Sequence, residues 1–324
     1  MCTAVTYCTK DHYFGRNLDY EHGYQEAVTI TPRDFPFHFR CLPPMERHYA
    51  MIGMATVSDG YPLYYDATNE HGLSMAGLNF PHSAKYMPEN PSKDNVTPFE
   101  LILWVLGNCK TLKEAENKLS NANLVDIPFS EEFPLTPLHW FMADSERSVV
   151  IEQTEAGLQI FENPLGVLTN EPPFPFHMAN LQNYLHVTNE EAVNRFAPSL
   201  PLKAYSRGMG AMGLPGDLSS ASRFVKAAFT RLNSVSEDTE FAGISQVFHI
   251  LGSVAQQKGC VKIRNLYEKT IYTSCCNTTK GIYYYTTYEN SQITGVKLQG
   301  IHLDSKELVS YPLVREQQIR MENE

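Results

Sequence analysis

The 324-residue chain has no Lys/Arg run long enough to build a basic face; 26 Lys and Arg stand against 36 Asp and Glu, a formal net charge of −10. A phosphate backbone is bound through such a face, so nucleic acid is not an expected partner. The same balance gives an anionic small molecule no long-range steering. No apolar run nears the roughly 18–20 residues that span a bilayer, so no membrane partner is expected either. The opening stretch MCTAVTYCTKDHYFGRNLDY lacks the basic-then-apolar pattern of a secretory leader. The seven cysteines are odd in number and without metal-ligand spacing, and the eleven histidines are equally scattered. Free thiols in a reducing cytoplasm are therefore expected, with no metal and no cofactor. HExxH, GxSxG, the Walker loop and the Gly-rich dinucleotide fingerprint are missing too. Any nucleophile has to be found elsewhere.

What is present is an ordinary globular composition, 43% hydrophobic and 19% charged. The N-terminal third reads as strand: CTAVTY, AVTIT, YAMIGMATV, PLYYDA and GLSMAGLN are rich in β-branched and aromatic residues and are punctuated by Gly, Pro and Asn. PFELILWVLGNC and LKEAENKLSNA carry helical periodicity, with Thr97 and Thr111 as N-caps. Strands resume at LHWFMAD, SVVIEQT and GLQIF. From about residue 171 to 216 the chain is rich in Pro, Asn and Gly and reads as long loops around short helices. SSASRFVKAAFTRLNS and GISQVFHILGSVAQQKG are further helices, and TIYTSCCN, GIYYYTTYE, QITGVKL and IHLD close the chain as strands. Strands at both ends with helices between them predict two sheets with helices packed outside, not a doubly wound parallel sheet. No domain boundary is evident, so residues 2–324 are expected to form a single domain. Cys275 and Cys276 read as two buried thiols on opposite faces of a strand.

Cys2 is the candidate nucleophile. Methionine followed by a small residue is a substrate for N-terminal methionine removal, which leaves Cys2 with a free α-amine. One residue then holds a thiol and a base, since an α-amine has a pKa of ~7.7–8. In YFGRNLDY, Arg16 near the sulfur would favour thiolate, and Asp19 could accept a hydrogen bond from the amine; a surface ion pair is the alternative. Residues three apart point to opposite faces of a straight strand, so both serve Cys2 only if the strand bends or ends, and Gly15 makes a bulge possible. Asn79 and Asn170 follow strand-like runs and suit an oxyanion, although an Asn before a turn is also plain turn chemistry. Arg223 opens an amphipathic helix, where an anion is favoured, or is simply solvated.

These residues sit in stretches that resemble the choloylglycine hydrolases, and within them the bile salt hydrolases: MCTA, YFGRNLDY, NEHGLSMAGLNFP, PLHWFMAD, GVLTNEPPF, GLPGDLSSASRFVKAAF, YTSCCNTTKGIYYY and TYENSQI. The resemblance covers essentially the whole chain. It implies an α+β fold, the N-terminal nucleophile hydrolase αββα sandwich of two antiparallel sheets between helical layers. It further implies Cys2 as nucleophile and base, Arg16 and Asp19 as its partners, Asn79 and Asn170 around the oxyanion, and Arg223 as second arginine. The implied substrates are glycine- or taurine-conjugated bile salts. Phe129 and Phe133 stand where the family places apolar steroid contacts, with Tyr20 and Tyr65 as further candidates; the two phenylalanines could equally be a lid over the core. A homotetramer is implied, with contacts from a loop at about 189–216. Penicillin V and N-acyl homoserine lactones are the alternative substrates within the family, and tyrosine usually replaces Asn79 in the penicillin branch. A steroid-binding protein with a dead site is the reading from another class, and the presence of Cys2, Arg16 and Asp19 argues against it.

Overall fold

The computed structural model describes residues 1–323. As the β-branched and aromatic content predicts, the first third is strand: β1 (Cys2–Cys8), β2 (His12–Tyr20), β3 (Ala27–Thr31), β4 (Met51–Ser58), β5 (Tyr61–Asn69), β6 (Ser74–Asn79) and β7 (Asp94–Val96). Then come α1 (Leu101–Asn108), α2 (Leu112–Leu119), β8 (Ala122–Leu124), β9 (Leu138–Ala143), β10 (Ser148–Thr154), β11 (Gly157–Glu162), β12 (Val167–Leu168) and α3 (Phe174–Asn180). The last third holds α4 (Ser220–Asn233), α5 (Glu240–Gly252), β13 (Val261–Ile263), β14 (Leu266–Asn277), β15 (Ile282–Thr287), β16 (Thr294–Lys297) and β17 (Val309–Pro312).

The strands form two large antiparallel sheets. The first has the order β12-β1-β2-β14-β15-β16 with β13 paired to β14; the second is β11-β10-β9-β6-β5-β4-β3-β17. Helices α4 and α5 cover the first sheet, and α1 lies on β5 and β6 of the second with α2 beside it. The layers are therefore αββα. Between the sheets Phe14 of β2 stacks on Phe141 of β9 with centroids 5.4 Å apart. Because both large sheets are buried on two faces, β1, β2 and β4 read as nearly unbroken buried runs and not as alternating ones.

Three local expectations are corrected. Thr111 caps α2, accepting from the Glu114 N–H, but Thr97 caps nothing: a turn intervenes, the N-cap of α1 is Glu100, and the Thr97 N–H donates to the Glu100 carboxylate. The last helical run stops at Gly252, where Ser253 N–H turns back to His249 O, and the rest leads into the strand that supplies Thr270. IHLD forms no strand, since Leu303 O is taken by Arg33 N–H and Asp304 pairs with Arg33 and Arg47; β17 pairs with β3 instead. Cys275 and Cys276 are both buried at successive positions of β14, as expected.

Gly15 does not bend β2, whose pairing with β1 runs in unbroken register from Cys2↔Leu18 to Cys8↔His12. It is a contact point instead. A Cβ there would stand 2.3 Å from Ser274 O of β14 and 3.1 Å from Val247 of α5. Gly15→Ala is therefore expected to lower stability by about 1–3 kcal/mol, the usual cost of overpacking, in a urea melt. A variant as stable as the parent would mean that β14 gives way freely.

Candidate active site

Opposed residues of an antiparallel pair share a face, and successive residues alternate. Cys2 lies opposite Leu18, and Ala4 opposite Arg16, so the Cys2 thiol and Arg16 share the face that looks at the second sheet. Arg16 crosses that gap: one Nη donates to Tyr65 O and Gly77 O, each at 2.8 Å, and the other to Cys2 Sγ at 2.8 Å. Thr3, Asn17 and Asp19 point the other way, toward the helices. Asn17 Nδ2 donates to Leu251 O of α5, and Arg223 of α4 donates to Thr3 Oγ1 at 2.6 Å. The three-residue spacing of Arg16 and Asp19 thus needs no bend. Arg16 serves the sulfur on one side of the sheet, and Asp19 lies on the side of the Cys2 backbone.

Two bulges complete this arrangement. The β4–β5 register skips at Tyr65, whose carbonyl accepts from Arg16. The β2–β14 register skips at Ile271. The extra residue puts Thr270 on the helical side, where its hydroxyl donates to Asp19 Oδ1 at 2.6 Å, and Tyr272 on the inter-sheet side. Tyr272 and Tyr283 hydroxyls both donate to Asp66, at 2.8 and 2.7 Å. Burial works against the Arg16 charge, but Cys2, Tyr272, Asp66 and Tyr283 outweigh it and hold the guanidinium pKa above its usual value.

On the helical side Cys2 N–H donates to Asn170 Oδ1 at 2.8 Å. Arg223 donates to the same oxygen at 2.8 Å and to Cys2 O at 2.5 Å, and stands 3.9 Å from Asp19 Oδ2. Asn170 Nδ2 donates to Asn79 O, which ties the ends of the two sheets together. The Asn79 side chain makes no hydrogen bond among the described residues and is half-buried at the end of β6. Burial pushes the Asp19 carboxyl above its usual range, against the pull of Arg223 and Thr270, and Asp19 Oδ2 accepts no hydrogen bond. Met1 extends the β1–β2 ladder by one pair: Asp19 N–H donates to Met1 O, and the Met1 ammonium to Asp19 O at 2.6 Å and to the Glu268 carboxylate.

Cys2 and the five residues predicted around it are thus brought together. Of the four pocket candidates only Tyr65 touches that cluster, through its carbonyl; the rings of Tyr20, Phe133 and Phe129 form a separate chain of aromatic contacts by way of Tyr24. Tyr20 ends β2, exposed, in an aromatic group with His22 and Tyr24. Phe133 joins the same group through Tyr24. Phe129 meets Phe133 edge-on, with ring centroids 6.2 Å apart, and packs also on Tyr61 and Phe99, with the Arg40 guanidinium 5.7 Å from its ring. Tyr65 bonds Thr56 through its hydroxyl and meets the site through its carbonyl. Neither of two surface depressions at the far end of the sandwich includes any of these ten residues. Glu268, Thr270, Asp66, Tyr272 and Tyr283 were not singled out from sequence; their signal is only a run of polar residues inside apolar strands.

A family model for linear amide C–N hydrolases, choloylglycine hydrolase family, matches residues 2–311. The chain belongs to the choloylglycine hydrolase family. It is 54% identical over 319 residues to a bile salt hydrolase/transferase of Lactiplantibacillus plantarum, covering 98% of each chain. It is 40% identical to a bile salt hydrolase/transferase of Clostridium perfringens, covering 96% of each. The structure superposes on the conjugated bile acid hydrolase of Clostridium perfringens with a TM-score of 0.93 at 38% identity over the whole of both chains. A penicillin V acylase of Agrobacterium tumefaciens shares the fold at 18% identity, with a TM-score of 0.75 over 95% of this chain and 90% of that one. The αββα sandwich is accordingly that of the N-terminal nucleophile hydrolases.

The two phenylalanines touch, but Phe129 also packs on Tyr61 and Phe99 whereas Phe133 has Tyr24, and this gives different expectations. Phe129→Ala should cost about 2 kcal/mol in a urea melt, since it empties a packed aromatic corner. Phe133→Ala should cost less than about 1 kcal/mol. Equal losses would put both rings in the same packing role.

Proposed function

We propose that this family member hydrolyses the amide of glycine- or taurine-conjugated bile salts through a thioester on Cys2, once Met1 has been removed. The observation that carries this is the division of labour at Cys2. Its sulfur takes a guanidinium donor from Arg16 on one face of the sheet. Its nitrogen lies on Asn170 Oδ1, with the buried Asp19 carboxylate on the same side. A freed α-amine in that position has an acceptor to fix its lone pair and an anion to steady its ammonium form. The bile-salt part of the proposal rests on the likeness to two bile salt hydrolase/transferases.

The Cys2 amine takes the thiol proton as the sulfur attacks the carbonyl carbon. Arg16 then lies against a developing thiolate, and the Asn79 amide, free of other partners, is offered to the oxyanion. The amine hands its proton to the departing nitrogen and later activates a water that cleaves the thioester. Losing one oxyanion donor such as Asn79 costs on the order of 100- to 1,000-fold in rate. The aromatic group of exposed Tyr20 and half-buried Tyr24 and Phe133 is the proposed steroid contact, and Phe129 its support. Seven unpaired cysteines fit a reducing cytoplasm. Exposed Val193, Phe196, Leu202 and Tyr205 on the loop at about 189–216 fit self-association into a homotetramer. We take residues 2–324 as a single functional domain.

Cys2→Ser should retain less than about one per cent of turnover on taurocholate with the fold intact, because a hydroxyl ionises far less readily than a thiol. A tenth of parental turnover in that variant would sink the assignment of the nucleophile. Retaining Met1, or inserting one residue before Cys2, should abolish hydrolysis while the thiol still alkylates; intact mass and turnover on one sample check this. Phe133→Ala should raise KM for cholyl conjugates more than it lowers kcat, since a remote apolar contact holds ground and transition states alike. An unchanged KM moves the steroid contact elsewhere. Assaying penicillin V beside taurocholate separates the two substrate classes.

A further inference from the structure

Glu268 is a buried carboxylate that the reaction as described leaves unused. Its side chain is 1% exposed, and it is held by an ammonium group, the chain's own Met1 α-ammonium, which also donates to Asp19 O. Its second oxygen, Oε2, has no partner among the described residues. Burial pushes its pKa above the usual carboxylate value, against the pull of the Met1 ammonium that bonds it. Lys269, the next residue, gives Glu268 nothing, because its ammonium is committed to Glu289. Removal of Met1 therefore takes away the one charged group bonded to Glu268 among the described residues.

The place that the Met1 nitrogen occupies is also chemically particular. Consecutive backbone nitrogens in an extended strand are about 3.5 Å apart, from bond lengths alone. A nitrogen at that point is within about hydrogen-bond reach of the Cys2 nitrogen, the group that must hand a proton to the departing amine. The site is also preformed, with a carboxylate and a backbone carbonyl converging on one primary ammonium.

We propose that in the processed enzyme Glu268 and the Asp19 carbonyl bind the primary ammonium of the amino acid portion of the substrate, glycine or taurine in kind, as it leaves and, in the reverse direction, as it enters. This deepens the Cys2 mechanism and rests on it. In acylation the Sγ–C bond forms and the C–N bond breaks; the thiol proton, carried by the Cys2 amine, passes to the nitrogen, which departs as a primary amine. That amine takes a further proton from water and pairs with Glu268. An amine delivered there deprotonated stands beside the thioester carbonyl as a competitor of water, so hydrolysis and transfer to a new amine share one subsite. Met1 in the unprocessed chain then acts as a tethered mimic of that amine.

The test measures glycine and taurine binding, by calorimetry on processed Cys2→Ala protein and as product inhibition of amide hydrolysis in the processed enzyme. Glu268→Gln is expected to weaken both by about tenfold or more, as loss of a charge-assisted hydrogen bond does, and Glu268→Asp to recover part of the loss. Thermal melts show that the variants fold. The proposal is overturned if Glu268→Gln binds both amino acids as the parent does, or if the processed parent binds neither. It is equally overturned if Glu268→Gln leaves amine affinity alone and shifts the pH profile of Cys2 alkylation, which would make Glu268 a partner of the Cys2 amine. Calorimetry needs no turnover, so a failure of the nucleophile assignment in Cys2→Ser is read separately.

Discussion

The pairing of β1 with β2 is the constraint on which the site depends. Cys2 is met from two directions: its sulfur by Arg16 in the gap between the sheets, and its backbone by Asn170 just past β12 and by Arg223 from the helical layer. The register Cys2↔Leu18 decides which residues of β2 fall on each side. A slip of one residue would send Arg16 toward α5 and Asp19 into the gap, exchanging the charges that each half of Cys2 meets. Register is pinned on both flanks, by β12 on β1 and by β14 on β2. Bulges at Tyr65 and Ile271 then trim the neighbours so that a carbonyl and a hydroxyl arrive where β2 needs them.

The second requirement is electrostatic. Arg16 and Arg223 are both fully buried, and neither is held by a single close carboxylate. Their charges are spread over carbonyl oxygens, a thiol, an amide oxygen and the more distant Asp66 and Asp19. Tightly paired guanidinium groups would have little left for a sulfur or a backbone carbonyl. Diffuse compensation keeps both cations buried while leaving donors free to meet charge that appears during the reaction.

How much of this was legible in the sequence follows from distance along the chain. Cys2, Arg16 and Asp19 lie within one hairpin, so a local motif exposed them together. Arg223 and Asn170 were found through the wording of their surroundings and not through spacing. Glu268 and Thr270 lie about 250 positions from their partners, inside a run that reads as ordinary strand, and the Ile271 bulge that aims Thr270 has no glycine to announce it. Tyr65 was chosen for its ring, yet it meets Arg16 with its backbone, which sequence reading cannot weigh. Thr97 and the IHLD segment failed for different reasons: at Thr97 a turn three residues long hands the N-cap position to Glu100, a local competitor, and in IHLD strand propensity was overridden by the distant Arg33.

The order of strands in the first sheet also has a consequence for how the protein is made. β2 is flanked by β1, its immediate predecessor, and by β14, which begins at Leu266. At a ribosomal rate of roughly 5–20 residues per second, the N-terminus waits on the order of tens of seconds before β14 exists to close the sheet. Through that interval Met1 has no Glu268 to rest against and hangs free as the leading end of a nascent chain. An aminopeptidase working at the ribosome exit thus meets an open methionine, whereas one arriving after completion meets an end tucked into a finished sheet. The topology leaves Met1 accessible early, because the strand that would shelter it is translated late.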